Sequence, residues 1–370
     1  MAKRILLIGG GTGGHVFPLI AVAESIRKLD PSAEILAIGD GPFIAKATSE
    51  AGIPFKPLFG GKIRRYFSAL NFLDLLKFPF SFLQSLWTLY RYMPDVVFAK
   101  GTFSSIAPCL VAKLYFIPVY IHESDSVPGR SNMFLGQVAT KAFTSFESAV
   151  KYFNQGKVVL VGNPVRPEVL VGNRDTALEY FNFRADMKTI FVYGGSQGSK
   201  HINDLILESL VQLVKDYQVI HQCGDSQLQA VKGEVDRLSK EGENSYGPMI
   251  SANYRLYPFV SAEELAMAYA MSDIVISRGG ASNLFEIATG GKPAIIIPIT
   301  DSHGNHQSQN AVEFAKYGAV IIEEANTSPH ILINQIQNLL EPSTYTTVSD
   351  RIKTFAKPDA ADQIASALLH

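Results

Sequence analysis

Along this chain the apolar residues come in short runs set apart by glycine turns and longer stretches of mixed pattern. Runs rich in Val, Ile and Leu recur at 5–8, 34–39, 95–99, 119–122, 142–144 and 157–161, and again at 189–193, 219–222, 274–276 and 294–297. Runs this short and this apolar predict strands buried on both faces, as in a parallel sheet. Several intervening segments, such as 20–29 and 202–214, carry apolar residues at helical spacing. Strand alternating with helix predicts an α/β fold, with helices covering parallel sheets.

The series runs twice. Strand 5–8 leads at once into Gly9-Gly10-Gly11-Thr12-Gly13-Gly14, and strand 189–193 into Gly194-Gly195-Ser196-Gln197-Gly198-Ser199. Between the series lies Gly162-Asn163-Pro164-Val165-Arg166-Pro167, whose glycine and prolines suit a linker. Two Rossmann-like domains are therefore expected, 1–164 and 165–350, with the C-terminal edges of their sheets facing each other across a cleft. A last helical stretch at 353–370 gives a terminal segment, 351–370, expected to pack back on the first domain. Gly9, Gly11 and Gly14 satisfy the dinucleotide pattern G-x-G-x-x-G, and Asp40 ends the second strand where a dehydrogenase holds a ribose. Any loop that presents backbone amides to a polar ligand needs such glycines. A dehydrogenase has no use for the second loop, which disfavours an oxidoreductase.

The chemistry concentrates in 273–311. After strand 274–276 come Ser277-Arg278-Gly279-Gly280, and a helical pattern starts near Ala281 with Ser282 and Asn283 available as caps. A helix N-terminus directly after a strand attracts phosphate, because its free amides and its dipole point the same way. Glu286 follows, as a complement to the dipole or as a ligand to the substrate. Residues 294–298 and the polar loop TDSHGNHQSQN repeat the arrangement. Ligands of open α/β sheets bind at this edge. In the first series, Glu123 and Asp125 stand at period-two spacing in a polar turn after strand 119–122. They could bind sugar hydroxyls or act as a base, although solvated turn residues have the same look.

A length of 370 residues suffices for two full cores, and a formal net charge of −1 gives no global field toward nucleic acid. Cys109 and Cys223 lie too far apart for a metal-binding or redox spacing and are expected as ordinary buried residues. The N-terminus lacks the pattern of a signal peptide, so a cytoplasmic address is expected. Segment 60–93 sets Lys62, Arg64, Arg65, Lys77 and Arg91 against Asp74 alone, amid Phe67, Phe72, Phe78, Phe80, Phe82 and Trp87. Its charges leave no uncharged span of the ~20 residues that cross a bilayer. It reads either as an amphipathic surface for anionic membrane or as a core helix with solvated cations. No Asp-x-Asp pair occurs. Two facing domains suit a nucleotide-sugar enzyme with one domain per substrate. Helix N-termini and loop amides would stabilise the departing diphosphate without a metal.

The motifs GGGTGGHVFP, HES-D-SVPG, GNPVR, GGSQGS and SRGGASNLFEIA with HQSQNA stand in order over about residues 5–320. Together they resemble the MurG family, the UDP-N-acetylglucosamine:N-acetylmuramyl-(pentapeptide)-pyrophosphoryl-undecaprenol N-acetylglucosamine transferases. The resemblance implies a GT-B fold and peripheral attachment at the cytoplasmic face of the membrane. It also implies inverting transfer of GlcNAc from UDP-GlcNAc to the muramyl 4-hydroxyl of lipid I (undecaprenyl-pyrophosphoryl-MurNAc-peptide), giving lipid II, with no cofactor, metal or nucleic acid. By the same resemblance the first domain receives the lipid and the second the nucleotide sugar. Thr12, Gly13 and Gly14 would contact the donor across the cleft, and Arg166 and Ser196 the UDP. Val260 would offer backbone groups to uracil; Ala281, Ser282 and Asn283 start the phosphate-binding helix. Glu286 would hold the ribose hydroxyls and Gln307 the GlcNAc hydroxyls. His15 would activate the acceptor hydroxyl, or else order its loop or bind acceptor phosphate. Two departures from the family stand out. Asp125 replaces an amide, so it can act as donor-sugar ligand or base but not as a hydrogen-bond donor when ionised. His306 replaces the first of two amides. Acceptors other than lipid I, such as diacylglycerol, and a UDP-GlcNAc 2-epimerase-like activity are the alternatives.

Overall fold

The structure, a computed structural model, describes residues 2–11, 13–59, 69–166, 169, 171–195, 197–240, 246–300 and 305–370, with the side chains of all but 69–76. It divides into two compact units, Met1–Arg166 with Lys357–His370, and Pro167–Ala356.

In the first unit β1 (Arg4–Gly10), β2 (Glu34–Asp40), β3 (Phe55–Pro57), β4 (Val96–Ala99), β5 (Val119–Glu123), β6 (Lys141–Thr144) and β7 (Val158–Leu160) form a parallel sheet. Its order is β3-β2-β1-β4-β5-β6-β7. The second unit holds β8 (Lys188–Tyr193), β9 (Tyr217–Gln222), β10 (Tyr254–Tyr257), β11 (Ile274–Ser277), β12 (Ala294–Ile296) and β13 (Val320–Ile321), also parallel, in the order β10-β9-β8-β11-β12-β13. In both, the first strand of the unit lies between its second and fourth, which is the doubly wound arrangement with its switch point beside that first strand.

The period of two explains why the central strands are apolar throughout. Along β1, Ile5 and Leu7 enter one core with Val16, Val22 and Ile26, whereas Leu6 and Ile8 enter the other with Val97, Val111 and the buried Cys109. Three strands were not announced by the apolar pattern: β3, β10 and β13. Each ends a sheet, so its residues are not sandwiched and need form no continuous apolar run.

The expected single helical stretch at 353–370 is instead the end of a helix Pro342–Phe355 and a separate helix Ala360–Leu369. Pro358 stands between them and excludes a continuous helix, having no N–H and restricting the residue before it. Ile364, Ala365 and Leu368 complete the core of the first unit, the Ser25 hydroxyl donates to Asp362, and Lys3 Nζ donates to the Leu369 carbonyl at 2.6 Å.

Candidate functional site

In the second unit the loops after β8 and β11 flank the switch point. The helix Ala281–Thr289 starts at Gly280, and no side chain caps it. The structure thereby corrects the expected capping by Ser282 or Asn283. The Asn283 amide donates back to Ser277 Oγ at 3.0 Å, and that hydroxyl donates to the Tyr193 carbonyl at 2.7 Å, stitching β11 to β8. Among the described residues, the N-cap position thus offers no side-chain cap where an anion would be received. Glu286 lies one turn further along, 3% exposed, with the Tyr269 hydroxyl 3.4 Å from its Oε2.

Arg278 ties the loops together. It is buried, ion-paired with Glu324 at 2.6 Å, and donates to the Ile297 carbonyl at 2.9 Å and to Ser199 Oγ at 2.5 Å. Ser199 is the N-cap of the helix Lys200–Asp216, and Glu324 also accepts from Thr300 Oγ1 at 3.1 Å. One guanidinium therefore fixes the segments that follow β8, β11 and β12. Burial pulls its proton affinity down while Glu324 pulls it up. Replacing Arg278 with Met would strand the Glu324 carboxylate and release these segments. We expect a loss of about 2 kcal/mol in the unfolding free energy of this unit, read from urea denaturation.

Gln307 lies in the first turn of the helix His306–Ala315. A Cβ at Gly279 would fall 2.3 Å from the Gln307 carbonyl oxygen, so only glycine lets the β11 turn lie against this helix. Asn310 Nδ2 donates to the Gly279 carbonyl at 3.1 Å, and Gln307 Oε1 accepts from Ile299 N at 3.4 Å. Ala281, Ser282, Asn283, Glu286 and Gln307 are thus brought together. Val260 is buried after β10, just before Ser261, which forms a capping box with Glu264. Ser196 lies outside the described residues.

In the first unit Gly13 and Gly14 open the helix Gly13–Leu29, His15 stands in its first turn, and Thr12 lies outside the described residues. Arg166 is buried with its guanidinium 4.2 Å from the centre of the Phe17 ring on that helix. The dehydrogenase role for Asp40 finds no support: its carboxylate accepts from Ser104 Oγ at 2.7 Å, within the sheet edge itself.

Around His15 a charged group assembles from four strand ends. Lys100, directly after β4, is 1% exposed; its ammonium donates to His122 Nδ1 at 2.5 Å and to Ser124 Oγ at 2.6 Å. His122 Nε2 donates to the Gly162 carbonyl at 2.9 Å, which fixes the neutral tautomer that leaves Nδ1 as acceptor. Ser124 Oγ donates to Asn163 Oδ1 at 3.0 Å. Glu123 accepts from Asp125 N at 2.9 Å, Gly129 N at 3.1 Å and Asn132 Nδ2 at 2.9 Å. Asn132 can reach it because Gly101, at φ +79°, leaves no Cβ in the way.

Burial dominates the proton affinities. It pushes Glu123 up to about 7, with Asp125 adding to the rise, and draws Lys100 down to about 7 against the pull of Glu123 and Asp125. His122 is held well below the usual imidazole range by burial and by Lys100. His15 is lowered by burial first and Lys100 second, with Asp125 opposing, and its buried Nδ1 has no hydrogen-bond partner among the described residues. A neutral imidazole with an open nitrogen can accept a proton.

The sequence pattern did not single out Lys100 or Arg278. The available signal was a cation ending an otherwise apolar, fully buried strand just before glycine, as Lys100-Gly101 and Arg278-Gly279 both do.

Known proteins share the family and the fold of this chain. The N-terminal domain model of glycosyltransferase family 28 matches residues 5–144, and its C-terminal domain model matches 189–364. A protein of Legionella pneumophila (strain Paris) is 37% identical over 100% of this chain and 97% of its own length. It is named UDP-N-acetylglucosamine–N-acetylmuramyl-(pentapeptide) pyrophosphoryl-undecaprenol N-acetylglucosamine transferase. The crystal structure of Acinetobacter baumannii MurG superposes with a TM-score of 0.75 at 23% identity, over 99% of each chain. A putative UDP-N-acetylglucosamine 2-epimerase of Listeria monocytogenes has the same fold, with a TM-score of 0.72 at 13% identity, over 99% of this chain and 96% of that one.

Proposed function

The chain belongs to the MurG family of GT-B glycosyltransferases and transfers GlcNAc to lipid I to form lipid II, and we propose that its two units divide this work by substrate. The second unit takes UDP-GlcNAc. Its diphosphate meets the uncapped start of the helix Ala281–Thr289 and the 194–199 loop, Glu286 takes the ribose, Val260 the uracil, and Gln307 the sugar hydroxyls. The first unit takes the lipid acceptor. His15 or Asp125 removes the proton of the muramyl 4-hydroxyl as its oxygen bonds to the anomeric carbon. The bond from that carbon to the diphosphate breaks with inversion, and UDP leaves with the electron pair. Fixed dipoles at the helix start favour the charge gathering on the diphosphate.

The observation that carries the donor assignment is the uncapped helix start beside a buried glutamate, held to the neighbouring loops by Arg278. The fold alone does not separate transferase from epimerase, since both share it. Labelled UDP-GlcNAc should transfer to lipid I. Transfer to diacylglycerol instead, or release of UDP and an epimerised sugar without acceptor, would rule the reading out.

A lipid acceptor also needs a membrane-facing surface. The helix Ala69–Tyr92 shows Phe80, Leu83, Trp87 and Tyr90 at 62–67% exposure, spaced to share one face, while Ser81, Ser85 and Leu89 are buried on the other. Arg91 lies 6.0 Å from the Trp87 ring centre. Among the described residues no helix is long and apolar enough to cross a membrane. Lys62, Arg64 and Arg65 lie outside the described residues. This face is our candidate for peripheral attachment to anionic lipid at the cytoplasmic side. Substituting Phe80 and Trp87 together with Glu should lower co-sedimentation with anionic vesicles more than tenfold, since each aromatic buried in lipid is worth roughly 1.5–3 kcal/mol. Unchanged sedimentation would remove this face from the reading.

A further inference from the structure

Lys100 touches no group to which the reading above gives a task, yet it sits at the centre of the first unit's polar group. A lone buried ammonium is costly, and proteins retain one only where partners and nearby opposite charge offset the loss of water. Here the partners come from separate elements. His122 Nδ1 and Ser124 Oγ accept from it, and each passes a hydrogen bond onward, to Gly162 and Asn163 beyond β7. The charged and titratable groups facing it are His15 from the first turn of the helix Gly13–Leu29, His122 and Glu123 from β5, and Asp125 from the turn that follows.

We propose that Lys100 is a positioning residue for the transfer step: a buried cation that holds His122 and Ser124 in place and faces the His15 that takes the proton of the acceptor hydroxyl. This rests on the reading in which His15 receives that proton. Below pH 7 Lys100 is cationic and repels a proton from His15, in the range where an ordinary imidazole becomes charged.

The test uses the intact protein with labelled histidine and lysine side chains, followed by NMR titration in wild type, Lys100→Met and Lys100→Gln. The His15 midpoint should rise by about 1 pH unit or more in both variants. The acid limb of kcat should rise with it while the KM for UDP-GlcNAc stays unchanged, a split that loss of packing alone would not produce. An unmoved midpoint in a folded variant overturns the inference and leaves the base reading of His15 standing. A moved midpoint with an unmoved limb overturns the base reading, and the role of Lys100 in transfer falls with it. If neither variant folds, wild type decides: a His15 signal that takes a second step as Lys100 loses its proton supports the inference, and a His15 signal blind to the Lys100 titration overturns it.

Discussion

Replacing His15 with Ala is expected to lower kcat roughly 10²–10⁴-fold, the usual contribution of a positioned general base, while leaving the KM for UDP-GlcNAc within about twofold. His15 itself is given no donor contact, and a base acts on the proton moved in the transfer step, so donor binding should not sense the change. His15 suits the task because burial and Lys100 lower its proton affinity while Nδ1 has no partner among the described residues. A base with lowered proton affinity is already neutral below the ordinary imidazole midpoint of about 6.5, so the acid limb of wild-type kcat should fall below that pH. If His15 instead bound the acceptor phosphate, its loss would raise the acceptor KM and spare kcat at saturation. If Asp125 were the base, Asp125→Asn would abolish the limb and His15→Ala would preserve it. Steady-state kinetics of the two variants across pH, with each substrate varied in turn, separates the three.

The sequence announced those parts of the molecule whose cause is local. Central strands were legible because both of their faces are buried, as Ile5 to Ile8 show by feeding two cores in alternation. Edge strands such as β13 bury less and left no such mark. Glycine loops after β1 and β8 were legible because several glycines in a row end a strand and bare its backbone amides, whatever the distant contacts. Arg278 and Lys100 were not, since their partners are distant in sequence: Glu324 and Ser199 for one, His122 and Ser124 for the other. Only the parallel sheets bring those strand ends together. The cap at Ala281–Thr289 was misread for a related reason. Asn283 has the right side chain for a cap, but the chain enters the helix at Gly280, which puts Asn283 inside the first turn and within reach of Ser277.

The same helix carries the other large expected effect, on Glu286. Its substitution by Ala should raise the KM for UDP-GlcNAc roughly 10²-fold with kcat nearly unchanged, the signature of lost uniform binding. Hydrogen bonds to a charged group are worth about 1.5–3 kcal/mol, and each 1.4 kcal/mol is tenfold in affinity. A dipole role offers little competition on physical grounds. Glu286 is the sixth residue of the helix, and the dipole's influence fades beyond the first turn. The rival gain is about 0.3–1 kcal/mol, smaller than the cost of burying a carboxylate that is 3% exposed, a cost the Tyr269 hydroxyl helps to offset. Because UDP carries the same ribose, its inhibition constant should rise by the same factor as the KM. Glu286→Gln, which keeps one acceptor oxygen and loses the charge, should fall between wild type and Ala. A lower melting temperature with unchanged KM and UDP affinity would return Glu286 to a purely structural place in the helix.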